Sequence, residues 1–179
     1  MRLEELELVC QEAARNLVGR QAHPVPAAVV LPLPEATRVI TLDGFPDDDP
    51  GRFDLLAAFA RDTMRTANAS CYGFLAEASV ETDGKPVDVV VVAYGARRHR
   101  ARITAAPLEA GPEDTACALG EFTPSEELDP TAMPFLSPLQ HAADEAAPET
   151  PEGGPGPLGG QGPVGPTGSG GGELPIFGA

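Results

Sequence analysis

The stretch CYGFLAEASVETDGKPVDVVVVAYG, residues 71–95, decides the fold. Its two halves are rich in apolar and β-branched residues, and they flank the dipeptide Asp83-Gly84. Asp-Gly is a strong signal for a two-residue hairpin turn, because both central residues of that turn need a positive φ. A turn at this dipeptide predicts that paired positions sum to 167, as 83 and 84 do, so that Glu77 faces Val90. The stretch therefore predicts a long antiparallel hairpin.

Both faces of this hairpin are apolar at the end away from the turn. Tyr72, Phe74 and Ala93 alternate along one face, which predicts a core side. The other face carries Cys71, Leu75, Val90, Val92 and Tyr94. A strand that is apolar on both faces is usually central and covered on both sides. We therefore expect the first helix of the chain, the segment 133–136 or a partner to cover the second face.

Two helices are predicted before the hairpin. The first has apolar residues at a 3-4-3-4 spacing and ends near Gly19. Its apolar positions are Leu3, Leu6, Cys10, Ala13 and Leu17. The second has Asp49 as N-cap and Pro50 at the first helical position, and it runs to about residue 67. Its apolar face carries Phe53, Leu56, Ala60 and Met64. The acidic run 47–49 is accordingly interpreted as a helix cap and not as a metal site.

Short apolar runs predict the remaining strands. The runs 27–33 and 37–42 form a first strand pair, and 99–107 continues the sheet after the hairpin. Residues 117–122 are a candidate edge strand. The order α-β-β-α-β-β-β predicts an α+β fold with a mostly antiparallel sheet of about five strands and two main helices. In element order alone it resembles the profilin-like and roadblock-like architectures, a resemblance that implies no function.

The chain is predicted to form one domain followed by a tail. Residues 1–143 are enough for one ordinary hydrophobic core, and the prolines within 123–143 predict an extended strap over it. Residues 144–172 are first acidic and then rich in Gly and Pro, which predicts a disordered linker. From residue 151 to the end, 18 of 29 positions are Gly or Pro.

The last residues, 173–179, form a short apolar peptide. Leu174, Ile176 and Phe177 are predicted to dock onto a partner, with the linker raising their effective concentration; the alternative is an unstructured end. Glycine recurs at every third residue from 153 to 171, which resembles a collagen-like segment, because only Gly fits at a triple-helix axis. A trimeric stalk is therefore a weaker alternative to a linker.

The charge is acidic and unevenly distributed. Against 12 Lys and Arg stand 27 Asp and Glu, a net charge of −15, and residues 103–179 hold no Lys or Arg. Such a field repels phosphate, so we expect no nucleic-acid or membrane partner. The N-terminal sequence lacks the pattern of a signal peptide, and three widely spaced cysteines favour reduced thiols in the cytoplasm. One Lys against 11 Arg suggests a high-GC bacterial genome.

A basic cluster after the hairpin is the leading candidate binding site. It consists of Arg97, Arg98, His99, Arg100 and Arg102. Guanidinium groups in such a cluster favour an anionic ligand or an acidic partner. The alternative is a solvated turn that balances the acids of the chain. A single-strand nucleic-acid binder would have aromatic residues between the basic ones, and this cluster has none.

The sequence predicts no catalytic, metal or cofactor site. Glu77, Glu81 and Asp88 are interpreted as the polar end of a strand pair and not as paired catalytic carboxylates. Cys71 and His99 are the only candidate nucleophile and base, and a buried structural thiol is the simpler interpretation of the cysteine. No Cys or His has the spacing of zinc ligands, and the Gly-rich tail lacks the phosphate-loop pattern.

These observations favour a non-catalytic interaction or adaptor module. It would join a larger assembly, as a partner protein or homo-oligomer, through its sheet face or through the peptide 173–179. A small enzyme or a binder of anionic small ligands, using the arginine-rich turn, is the alternative. A homotrimer held by the Gly-X-Y segment is a weaker one.

Overall fold

The computed structural model describes residues 1–20, 24–111 and 117–148, and confirms the α+β class. Within these residues the chain forms three α-helices and a seven-stranded, curled antiparallel sheet. The helices are α1 (Leu3–Arg20), α2 (Asp49–Phe59) and α3 (Ser137–Glu145). The strands are β1 (Ala28–Pro32), β2 (Thr37–Thr41), β3 (Cys71–Thr82), β4 (Lys85–Ala96), β5 (Arg102–Glu109), β6 (Ala118–Leu119) and β7 (Glu126–Glu127). No helix among the described residues is long and apolar enough to cross a bilayer.

The β3–β4 hairpin is the centre of the sheet, with the predicted register. Glu77 pairs with Val90, and the turn residues Asp83 and Gly84 have φ values of 52° and 74°. The strand order is β2-β1-β3-β4-β5-β6, and β7 pairs with the start of β5. β1 lies against β3 although 38 residues, 33–70, separate the two strands, so this neighbour relation comes from tertiary packing.

Helices cover the two faces of the sheet, which gives two hydrophobic cores. α1 covers the face that carries Cys71, Leu75 and Tyr94, as one of the three predicted options. On the other face, α2, α3 and the turns that adjoin them pack against Tyr72 and Phe74. The segment 133–136, another of the options for the α1 face, lies on this second side.

The cap of α2 is one residue earlier than predicted. The Asp48 carboxylate, and not that of Asp49, accepts a hydrogen bond from the Gly51 N–H, with 2.7 Å between N and Oδ2. Asp49 and Pro50 are the first two residues of the helix. Because both acids lie near the positive end of the helix dipole, the capping interpretation of this acidic run is correct.

The strap predicted over 123–143 is extended only in its first part. A 3₁₀ turn, Pro134–Leu136, leads directly into α3, a helix that the sequence does not predict. Pro134 is the first residue of the turn and Pro138 the second residue of α3, positions where a missing N–H breaks no intrahelical hydrogen bond. α3 continues to Glu145, past the predicted start of the linker. The linker residues 149–172, the Gly-X-Y pattern and Leu174, Ile176 and Phe177 lie outside the described residues.

Candidate ligand-binding pocket

A pocket of about 1010 Å³ opens on the side of the sheet that faces α2 and α3. Its walls come from α2, from the loop 97–101 between β4 and β5, from the segment 127–134 and from α3. These elements are separate in sequence and meet only because β3 and β4 carry them to one end of the sheet. The volume is at the upper end of the range of about 300–1,000 Å³ typical of small-molecule sites.

Most of the pocket wall is apolar. The apolar side chains come from four elements: Phe53, Ala57, Tyr72, Leu128, Met133 and Leu136. α2 places Phe53 and Ala57 four residues apart, on one face of the helix. Phe53 keeps 44% of its surface exposed, although it belongs to the predicted core face of α2. The pocket thus leaves an aromatic ring available for contact with a ligand.

Two hydrogen bonds anchor the backbone of the loop between β4 and β5. Arg98 has a φ of 63°, a left-handed backbone that is uncommon for a residue with a side chain. Its backbone N–H donates to Asp144 Oδ1 at 2.7 Å, and the Arg97 N–H donates to the Ser70 carbonyl at 2.8 Å. α3 and the residue before β3 thus both bind the backbone of this loop. These bonds fix the backbone from which the loop side chains extend toward the pocket.

A polar network forms the junction between the pocket and α3. The Gln140 amide donates to Asp144 Oδ1 and to the Ala96 carbonyl, each at 3.1 Å. The Tyr72 hydroxyl donates to Gln140 Oε1 at 3.3 Å. Burial, and secondarily the charge of Asp144, raises the pKa of Tyr72, so its hydroxyl stays protonated and remains a donor. A Cβ at Gly95 would lie 2.8 Å from the Tyr72 hydroxyl oxygen, which explains the absence of a side chain there.

Two of the arginines at the pocket are already paired. Arg65 Nε lies 2.7 Å from Glu145 Oε2, and this hydrogen bond holds the pKa of the Glu145 carboxyl below its ordinary value. Arg100 forms an ion pair with Glu127. The His141 Nε2 atom lies 3.2 Å from the other oxygen of Glu145.

Arg98 differs from these two arginines. Arg98 lines the pocket, and within residues 1–20, 24–111 and 117–148 its guanidinium forms neither an ion pair nor a hydrogen bond. His99, next to it, lines the same pocket. At the pocket rim, the positive charge that is still available to a ligand therefore lies mainly at Arg98.

The structure separates the basic cluster that the sequence groups together. Arg98, His99 and Arg100 line the pocket. Arg102 lies on the α1 side, where its guanidinium donates to the Ser125 carbonyl at 2.8 Å. Arg97 is half-buried, and its Nε has no hydrogen-bond partner among the described residues. The cluster divides because strand alternation begins at Arg102, which sends its side chain to the opposite face.

Arg102 contributes instead to a network that ties α1 to the segment before β7. The hydroxyl groups of Tyr94 and Ser125 both donate to Glu7 Oε2, at 2.8 and 3.1 Å. The Arg102 guanidinium binds Ser125 in turn. These bonds satisfy partly buried polar groups and hold α1 on the sheet, so we assign the network a structural role.

The other candidate chemistry is not brought together. Cys71 packs in the α1-side core, whereas His99 lines the pocket on the other side. The Glu77 carboxylate accepts a hydrogen bond of 2.7 Å from the Val25 N–H, which anchors the chain before β1. Glu81 and Asp88 lie at the exposed turn end of the hairpin. No group of three metal-ligating side chains occurs in the part of the chain that the structure describes.

Sequence reasoning missed the apolar wall and the polar network. Phe53 lies in an apolar pattern that is the same whether it faces a core or a pocket. Gln140 and Asp144 belong to α3, which the sequence did not predict. Comparisons of the chain with protein-family models, with curated proteins and with solved structures find no match. The pocket itself is therefore the basis for any assignment of function.

Proposed function

We propose that the chain is a non-catalytic binding module whose pocket takes a small amphipathic molecule. The observation that carries this proposal is the pocket of about 1010 Å³ with an apolar wall and a few polar groups at its rim. Binding sites for small molecules commonly have this composition, because apolar contact supplies affinity and a few polar groups supply orientation.

The polar groups of the pocket support binding over catalysis. A hydrolytic site would need a nucleophile in hydrogen-bond reach of a base. Ser137 lines the pocket, but no hydrogen bond among the described residues joins its hydroxyl to His99 or His141. Asp144 is engaged by Gln140 and by the Arg98 backbone, so it holds the loop in place.

Fluorescence of the neutral probe N-phenyl-1-naphthylamine tests the proposal with the full chain. We expect saturable enhancement, because the apolar wall removes the probe from water. Ala57→Trp should abolish the enhancement by filling the pocket. Leu8→Trp, which replaces an exposed apolar residue of α1 with another, should leave it unchanged.

A second readout does not depend on any variant. Methyl-labelled methionine gives signals from Met1, Met64 and Met133, of which Met133 lines the pocket. The probe should shift the Met133 signal and leave that of the exposed Met1 in place. An unshifted Met133 signal at saturating probe would overturn the proposal.

The prediction of a protein partner or homo-oligomer stays a prediction. Helices cover the central strands on both faces, so a partner would have to use another part of the sheet or the peptide 173–179. A pull-down that compares the full chain with one ending at Gly172 separates these routes. The cytoplasmic location and the bacterial origin also stay predictions.

A further inference from the structure

We infer that the ligand is an amphipathic monoanion, such as a medium-chain carboxylate, whose head group binds Arg98 and whose apolar chain lies against the wall formed by Phe53 and Met133. This inference rests on the proposed function and adds the chemical class of the ligand. Its basis is that some of the charged side chains around the pocket are paired with each other, whereas the Arg98 guanidinium is not paired within the described residues.

The charged side chains at the pocket favour an anionic ligand. Arg65 and Arg100 are neutralised locally by Glu145 and Glu127. Arg98 also lines the pocket, and its guanidinium has no such partner within the described ranges. A guanidinium presents a planar set of donors that matches a carboxylate with two parallel hydrogen bonds. One unpaired guanidinium thus favours an anionic head group over a neutral or cationic one.

The carboxylate of Asp144 favours a ligand with a single negative charge. Asp144 also lines the pocket, and its Oδ1 accepts hydrogen bonds from the Arg98 N–H and from the Gln140 amide. Both donors are neutral, so the negative charge of Asp144 stays beside the head-group position. A negative charge close to the head group repels a dianion more strongly than a monoanion. With Arg98 as the unpaired cation of the described rim and the Asp144 carboxylate near it, the rim favours a monoanion over a dianion.

The apolar wall of the pocket favours a ligand with an apolar chain. The apolar wall extends from Phe53 and Ala57 on α2 to Met133 and Leu136, which is more surface than a small inorganic or acetate-sized anion would contact. Methionine adapts its shape to flexible chains, and the exposed ring of Phe53 offers a flat contact surface. An unbranched apolar chain attached to the anionic head would use both.

Competition against N-phenyl-1-naphthylamine tests this class with the full chain. Decanoate should displace the probe at about tenfold lower concentration than decanol, and decyltrimethylammonium should be the weakest of the three. Each methylene added from octanoate to dodecanoate should raise affinity about fourfold. Equal affinity for decanoate and decanol, with the probe still bound, would overturn the inference and leave the proposed function intact.

The charge of the head group is tested separately. Decyl sulfate, a monoanion, should compete as decanoate does, and decyl phosphate, largely a dianion near neutral pH, should compete less well. Tighter binding of the phosphate would contradict the assignment to a monoanion. These comparisons use the unmodified protein, so a folding defect cannot affect them.

Substitution of Arg98 assigns the head-group site. Arg98→Gln should weaken decanoate about tenfold or more and leave decanol unchanged, since only the charged hydrogen bonds are lost. Arg98→Lys should retain part of the decanoate affinity, because it keeps the positive charge but cannot form the two parallel hydrogen bonds. Arg38→Gln, which removes an equal charge from an exposed position on β2, is the matched control and should change neither. If Arg98→Gln weakens decanol as much as decanoate, the anion does not bind at Arg98.

Discussion

The two faces of the same sheet differ in how completely helices cover them. On one face α1, an uninterrupted helix of 18 residues, seals the sheet with Leu6, Cys10 and Ala14, all of them buried. On the other face the cover consists of shorter segments, α2 and α3 with the turns next to them, and a pocket remains among them. The comparison shows that a continuous helix closes an apolar face, whereas a cover made of several pieces leaves space.

The cause of the discontinuity lies in local hydrogen bonding. After Phe59 the chain enters a π-helical turn, Ala60–Met64, in which the Arg65 N–H donates to the Ala60 carbonyl, five residues back, at 3.0 Å. Such turns are frequent at functional sites. The prolines of the 130s then start new helical segments on this face. No comparable break interrupts α1.

The largest expected effect comes from truncating one apolar side chain on each face. Leu6→Ala should lower the free energy of unfolding by about 2–5 kcal/mol, because Leu6 is 1% exposed and its loss leaves a cavity. Phe53→Ala should change it by no more than about 1 kcal/mol, because the ring is half-exposed in the pocket. Urea denaturation measures both. Equal losses would show that the α2–α3 face is as closed as the α1 face.

A smaller effect tests how closely α1 approaches the sheet. A Cβ at Gly73 would overlap the Cys10 sulfur and lie 3.3 Å from the Val30 Cβ. Gly73→Ala should therefore cost about 1–3 kcal/mol of unfolding free energy. Cys10→Ala should recover part of this loss in the double variant, since the overlapping sulfur is removed. Gly19→Ala, where the new methyl meets no atom within 4 Å, is the control. Additive losses in the double variant would contradict such a close approach.

The smallest effect is an alkaline loss of stability. Burial, followed by the nearby Cys71 and Glu7, raises the pKa of Cys10 from 9.0 to about 12. Between these values the unfolded chain releases the thiol proton and the folded chain retains it, so this contribution is intact below about pH 9 and is lost toward about pH 12. Its slope is about 1.4 kcal/mol per pH unit.

Urea unfolding at pH 8, 9 and 10 measures this slope. Cys10→Ala should flatten the decline, so that its stability approaches that of the unmodified chain as pH rises. Parallel curves for the two proteins would show that the thiol is not buried between α1 and the sheet, and would remove one distinction between the faces.

Much of the fold was predictable because it rests on local signals. The Asp83-Gly84 turn determined the register of β3 and β4, and the apolar spacing determined α1. α3 was missed because a proline is a helix breaker in an interior and a helix starter at the first position, and the sequence does not show which applies. The cap of α2 differed by one residue because Asp48 and Asp49 are chemically equivalent candidates.

The site was predictable only in part. Arg98, His99 and Arg100 were singled out as a basic cluster, and they line the pocket. The same reasoning grouped Arg102 with them, because a strand that begins at residue 99 places Arg100 and Arg102 on one face, whereas β5 begins at Arg102. No sequence signal indicates that α2 and the segments after β5 would both face the loop between β4 and β5.

The sequence by itself determined the elements, the central hairpin and the acidic balance, because turn chemistry, periodicity and charge are properties of neighbouring residues. The tertiary structure decided that β1 lies beside β3, that α1 and not a partner seals one face, and that Phe53, Arg98 and Met133 meet at one pocket. These are long-range relations. They follow from the burial of two apolar faces at once, a free-energy minimum of the whole chain that no short segment encodes.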